Sequence, residues 1–266
     1  MILASTAVAL PLVVLALLAR RLRSDLEEAA WRLIAIAMLL TPLVSLLPKI
    51  DVGLHIPLLT VDEVLFTSAP PLQLHNGIGP TAVVAIYAAI AIALLVRLTF
   101  AALGARKLRR DAAPFGDAYV SSSLRVPVTA GLLRPSILLP QEARAWSEAK
   151  LAAVLSHERA HVARRDPLWR FVSRLAAAVC WFHPLAWLAA ASIERLAEEA
   201  ADREAVVATG DRHLYADVLL ELLRAMTGTR RRMLAPAILD GRPLGERIDA
   251  ILEPARARRS PALVHA

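Results

Sequence analysis

The sequence predicts a mainly α membrane protein. Three N-terminal transmembrane helices lead into a cytoplasmic domain of helices with a small β-sheet. A membrane-associated helical hairpin lies within that domain. Three observations carry the prediction. The 266 residues are 57% hydrophobic, beyond the composition of an ordinary soluble domain. Three apolar segments before residue 110 approach the length needed to cross about 30 Å of hydrocarbon. After them stands His157-Glu158-Arg159-Ala160-His161, a pattern with metal-binding geometry when it sits on a helix.

The first expected span covers about residues 2–19, with Pro11 a kink. It has no basic stretch before its apolar run, which argues against a cleaved signal peptide. The second, about 31–48, is shorter and begins beside Arg32. The third, about 81–104, holds one charge, Arg97, near enough to one end to snorkel. Arg20, Arg21 and Arg23 follow the first span, and Lys107, Arg109 and Arg110 follow the third. Both clusters belong on the cytoplasmic side by the positive-inside rule. The loop between, 49–80, holds Lys49 against Asp51, Asp62 and Glu63 and suits the outside. The expectation is a multi-pass protein of the bacterial cytoplasmic membrane, with its N-terminus outside and the histidine motif in the cytoplasm. The net charge of +7 then reports topology and contact with anionic lipids. With 5% aromatics and no recognition motif, direct nucleic-acid binding is not expected.

Residues 107–225 form the expected cytoplasmic domain. Val120, Leu124, Val126, Val128 and the run Ser136, Ile137, Leu138, Leu139, broken by Gly131 and Pro135, read as a small sheet or hairpin. Ser147 is a suitable N-cap and Glu148 a favourable first-turn anion. Apolar Leu151, Val154 and Leu155 then carry a helix up to the motif. On it, His157 and His161 are i and i+4 and share a face. Two such imidazoles can hold one zinc ion, and Glu158 between them can reach its water.

A third ligand is expected downstream. Glu198 is the best candidate, because Asp202 lies four residues on and could fix a ligand histidine as its acceptor. Glu194 and Glu199 are rivals. Candidates for an oxyanion donor are His213 and Tyr215. Within residues 168–192, the run from Leu175 to Ser192 is apolar and long enough to cross a membrane. If His161 and Glu198 bind one ion, however, both ends of that run lie on one side. Two solutions remain: a re-entrant dip broken at His183-Pro184, or a helical hairpin packed in protein. Residues 226–266 form a basic amphipathic tail.

Four stretches in order, VPVTAGLLRPSILLP (126–140), SHERAHVARRDPL (156–168), WFHPLAW (181–187) and EEAAD (198–202), resemble the beta-lactam sensor-transducer family of integral membrane metallopeptidases. The resemblance spans about residues 115–225. It implies a gluzincin-like peptidase domain with one zinc per chain on His157, His161 and Glu198, and with Glu158 as general base. It implies a regulatory endopeptidase acting on a cytoplasmic protein such as a winged-helix repressor. In this type of peptidase an edge strand upstream of the zinc helix holds the substrate. The expected strand is Ser136, Ile137, Leu138 and Leu139, or the strand at 126–130. Ala201 departs from the cysteine frequent before the aspartate. The sequence to Ala266 carries no further span or penicillin-binding domain, so a short member without that sensor is expected. Partners are then membrane lipids and a protein substrate, with a homo-oligomer open. The rival functions are a membrane quality-control metalloprotease and a non-catalytic signalling scaffold.

Overall fold

The computed structural model describes residues 24–45, 79–227 and 244–252, which are helical except for one sheet between residues 113 and 140. The first expected span and most of the external loop lie outside the described residues.

Helix α1 (Ser24–Ser45) opens with Asp25 and Glu27 in its first turn, where the helix dipole favours anions. Its residues Ala30, Trp31, Ile34, Ala35 and Met38 repeat at helical spacing and are buried against two later helices. Leu26, Leu33 and Leu40, one heptad apart, stay exposed on the outside. Helix α2 (Pro80–Arg110) has 31 residues, about 46 Å at 1.5 Å per residue. Among the described residues it alone contains a stretch, Thr81–Arg110, long and apolar enough to cross a bilayer. Val84, Ile92 and Phe100 stay exposed along it, and basic residues crowd its last turn. Of the three expected spans, the described residues therefore support one. The helix that holds the second segment runs from Ser24 to Ser45, with Glu27 and Glu28 ahead of the segment and Arg32 inside it, and one face packs within the protein.

Four short strands follow: β1 (Ala113–Phe115), β2 (Ala118–Ser121), β3 (Val128–Ala130) and β4 (Ser136–Pro140). Their order is β1-β2-β4-β3, with β2 and β4 parallel and the outer pairs antiparallel. The β3–β4 turn needs Gly131. Its φ is +111°, and a Cβ there would lie 2.6 Å from the Arg134 carbonyl oxygen. Strand β4 is buried and paired on both sides. This corrects the expectation that Ser136, Ile137, Leu138 and Leu139 form a substrate-holding edge: the strand lies inside the sheet, between β2 and β3. The edge strand of the expected pair is β3.

Helix α3 (Glu148–Arg164) starts at Ser147, whose hydroxyl accepts the Lys150 N–H as an N-cap should. It ends at Arg165, in the left-handed region with φ 54°. That reversal lets α4 (Asp166–Val179) begin at once, with Pro167 in its first turn. The chain turns at residues 180–183 and continues as α5 (Pro184–Thr209), capped by His183 Nδ1 accepting the Leu185 N–H at 3.2 Å. His183 thus marks the break. Arg170 meets Glu198 and Arg174 meets Glu194, so α5 runs back antiparallel along α4. Ala176, Ala177, Ala186 and Ala189 are buried between the helices and permit close approach. Residues 168–192 thus fold as a helical hairpin that packs against α1. Helices α6 (Arg212–Thr227) and α7 (Leu244–Leu252) close the other side, with Tyr215, Val218, Leu219 and Ile251 packed against the sheet and α3.

Candidate metal centre

On α3, one turn separates His157 from His161, and their Nε2 atoms converge to 3.2 Å. Their rings stand nearly perpendicular, at 86°. Helix α5, returning along the hairpin, supplies Glu198. Its carboxylate oxygens lie 3.6 Å from His157 Nε2 and 3.5 Å from His161 Nε2. These lengths test the fit to a metal. Zinc bonds of about 2.1 Å at tetrahedral angles set neighbouring donors about 3.4 Å apart. The two Nε2 atoms at 3.2 Å match such an edge, and each has a Glu198 oxygen at similar spacing, Oε2 for His157 and Oε1 for His161. The donor chemistry, two imidazoles and a carboxylate, also suits zinc.

Each imidazole is held from behind through Nδ1, which leaves Nε2 to the centre. His161 Nδ1 lies 2.8 Å from Asp166 Oδ2. Asp166 is almost fully buried, and Arg164 and Arg32 stand near it at 3.5 and 3.6 Å. His157 Nδ1 lies 2.9 Å from the Tyr215 hydroxyl and 3.3 Å from Asp202 Oδ1. The Tyr215 hydroxyl has one proton, and it donates that to Asp202 Oδ1 at 2.7 Å. The His157 Nδ1–H therefore donates to the tyrosine oxygen. Arg247 of α7 grips Asp202 with two bonds, Nε to Oδ2 at 2.9 Å and Nη2 to Oδ1 at 2.6 Å. Its third nitrogen reaches Glu198 at 3.0 Å. Arg170 holds Glu198 from α4.

These contacts set the charges of the ion-free cluster. Burial disfavours the His157 imidazolium, but hydrogen bonding and charge from Asp202 and Glu198 outweigh it and push its pKa up to about 9. Burial would raise Asp202, yet His157 and Arg247 hold it down at about 2. Burial would likewise raise Glu198. The hydrogen bond from His157 and the charges of Arg247, His157 and Arg170 keep it well below the usual carboxylate range. Burial and the neighbouring Asp202 push the Tyr215 hydroxyl far up, so it stays a neutral donor.

Glu158 is buried beside the histidines and accepts the Thr129 hydroxyl on Oε2 at 2.6 Å. The rivals for the third ligand are engaged elsewhere: Glu194 pairs with Arg174 and Glu199 with Arg195. His213 lies exposed at the start of α6, two positions from Tyr215 and so turned to the opposite face. Tyr215 does enter the cluster, but behind His157 rather than on its metal-facing side. The expectation of an oxyanion donor is corrected for both. Four further residues join the cluster without having been singled out by sequence: Asp166, Arg170, Arg247 and Thr129. Asp166 had a signal, an acid directly after a histidine helix, where acceptors for ligand histidines recur. Arg247 had none, since a short helix in a basic tail does not point at anything.

A family model described as BlaR1 peptidase M56 matches residues 1–251. A stretch of 104 residues is 34% identical to the regulatory protein BlaR1 of Bacillus licheniformis. It covers 38% of this chain and 17% of that protein, so the chain matches about a sixth of the relative's length.

Proposed function

The chain belongs to the M56 peptidase family, a family of metallopeptidases, and from that premise we propose that it is a membrane-embedded zinc endopeptidase that cleaves a cytoplasmic protein to pass on a signal. The observation that carries the proposal is the convergence of His157, His161 and Glu198 donors with Glu158 beside them. Zinc bound there would supply an activated water and a polarised scissile carbonyl. The chain's own residues do the rest. Glu158 takes the proton of the attacking water and later gives it to the leaving amine. Asp166 and Tyr215 keep both Nε2 atoms aimed at the centre. Arg170 and Arg247 keep Glu198 ionised. An extended substrate pairing with the edge of β3 would lie close to Glu158, since Thr129 of β3 touches it.

Lys107, Arg109 and Arg110 close α2 just ahead of the sheet, which supports a cytoplasmic position for the site. A winged-helix repressor is the substrate class the family resemblance favours. A signal would reach the site through the membrane helices or a partner.

The test uses the full chain, purified in detergent. Elemental analysis should find about one zinc in the wild type and in Glu158→Gln, and a loss in Glu198→Ala. A peptide library read by mass spectrometry should be cut by the wild type and left intact by Glu158→Gln. A wild type without metal would bring the scaffold forward. Broad cutting of unfolded membrane proteins would bring quality control forward.

A further inference from the structure

We infer that Thr129 is a positioning residue for the general base, fixing the Glu158 carboxylate so that one chosen oxygen faces the reacting water. The inference rests on the reading of Glu158 as that base. Thr129 is the middle residue of β3, paired with Ile137 of β4 between the pairs Val128–Leu138 and Ala130–Ser136. The turn that joins the two strands admits no side chain at Gly131, where a Cβ would lie 2.6 Å from the Arg134 carbonyl oxygen. Side chains alternate along a strand, so the register decides that position 129 is the one facing α3. Threonine is β-branched and stiff at χ1, so a hydroxyl placed there stays placed.

The hydroxyl meets two acceptors on one residue, the Glu158 carboxylate Oε2 at 2.6 Å and the Glu158 main-chain carbonyl at 3.2 Å. It has a single proton, and the shorter bond to the charged oxygen is the stronger. The bond spans 29 residues of sequence and is made beside the metal-binding face of α3. Glu side chains have three rotatable bonds, and a base that swings loses orientation with each. With Oε2 tied to the strand, Oε1 is left for proton transfer. Thr129 keeps its own proton throughout, while the proton of water moves to Glu158 and then to the leaving amine. The same short strand thereby holds the base and carries the edge on which a substrate would pair. Base and peptide are placed by one rigid piece.

The test compares Thr129→Val, which keeps the shape and removes the hydroxyl, with Thr129→Ser, which keeps the hydroxyl. Both are made in the full chain and assayed on a peptide that the wild type cleaves. Expected for Thr129→Val is a fall in kcat of about tenfold with KM and zinc content unchanged. Thr129→Ser should recover most of that rate. Binding of acetohydroxamate, which passes a proton to the base without turnover, should weaken severalfold in Thr129→Val and recover in Thr129→Ser. Should Thr129→Val not fold, Thr129→Ala takes its place in the same comparison. Equal kcat in Thr129→Val and wild type would overturn the inference, as would a Thr129→Ser variant as slow as the valine variant. Activity surviving in Glu158→Gln would instead remove the reading on which it rests.

Discussion

His157 and His161 face one another one turn apart on α3, yet they are held from opposite kinds of chain. His161 is held locally. Its acceptor, Asp166, is five residues on, brought back by the single left-handed residue Arg165. His157 is held by three other helices in series: Tyr215 from α6, Asp202 from α5 and Arg247 from α7. The difference teaches where the site is robust. Once α3 and the next turn exist, the orientation of His161 follows. The orientation of His157 exists only when residues 202, 215 and 247 have all been packed together.

The sharpest break in this contrast is Asp166→Asn. Among the described residues Asp166 is the one carboxylate at His161 Nδ1, so zinc affinity should fall about a hundredfold, measured by competition with a chelator. Tyr215→Phe should cost less, about tenfold, because Asp202 already lies 3.3 Å from His157 Nδ1 and can take over the bond. If Tyr215→Phe proves as damaging as Asp166→Asn, the two sides are equally brittle and the contrast fails. Smaller again is Arg247→Lys. It keeps a charge but cannot grip Asp202 with two bonds while reaching Glu198, so zinc affinity should fall about two- to fivefold, by the same competition assay.

The smallest effect is on pH. In ion-free protein the pKa of His157 is raised from about 6.5 to about 9. A raised folded pKa contributes stability that is fully present below about pH 6.5 and lost as pH rises through about 9. Chelator-treated protein should therefore melt lower at about pH 9.5 than at about pH 6.5. Zinc-loaded protein should lose less over the same interval, since its Nε2 no longer carries that proton. Equal losses with and without zinc would mean that the His157 side does not govern this step.

Much of the centre is legible in the sequence, and the reasons are local. The i, i+4 spacing of His157 and His161, the N-cap at Ser147 and the pairing of Glu198 with Asp202 all follow from 3.6 residues per turn. The break at His183-Pro184 follows from proline's missing N–H. The strand order does not. Ser136, Ile137, Leu138 and Leu139 look like an edge or a core strand equally well, because an apolar run does not say how many neighbours it has. The packing of the second apolar segment is hidden for a related reason. Length and hydropathy describe a helix, whereas its burial against α4 and α5 depends on which partners arrive.

The sequence by itself determined the chemistry on offer: two histidines and a glutamate on one helix, a second acid on another, and an apolar chain to carry them. Asp202 apart, which the helical spacing already offered, the tertiary structure decided which groups stand behind them. Asp166, Tyr215, Arg247 and Thr129 are assigned by the left-handed turn after α3, the antiparallel return of α5, the docking of α6 and α7, and the β3–β4 register. The physical reason is range. A helix face is set by neighbours four residues away, while a hydrogen bond across 29 or 45 residues forms only after the whole core has chosen one packing.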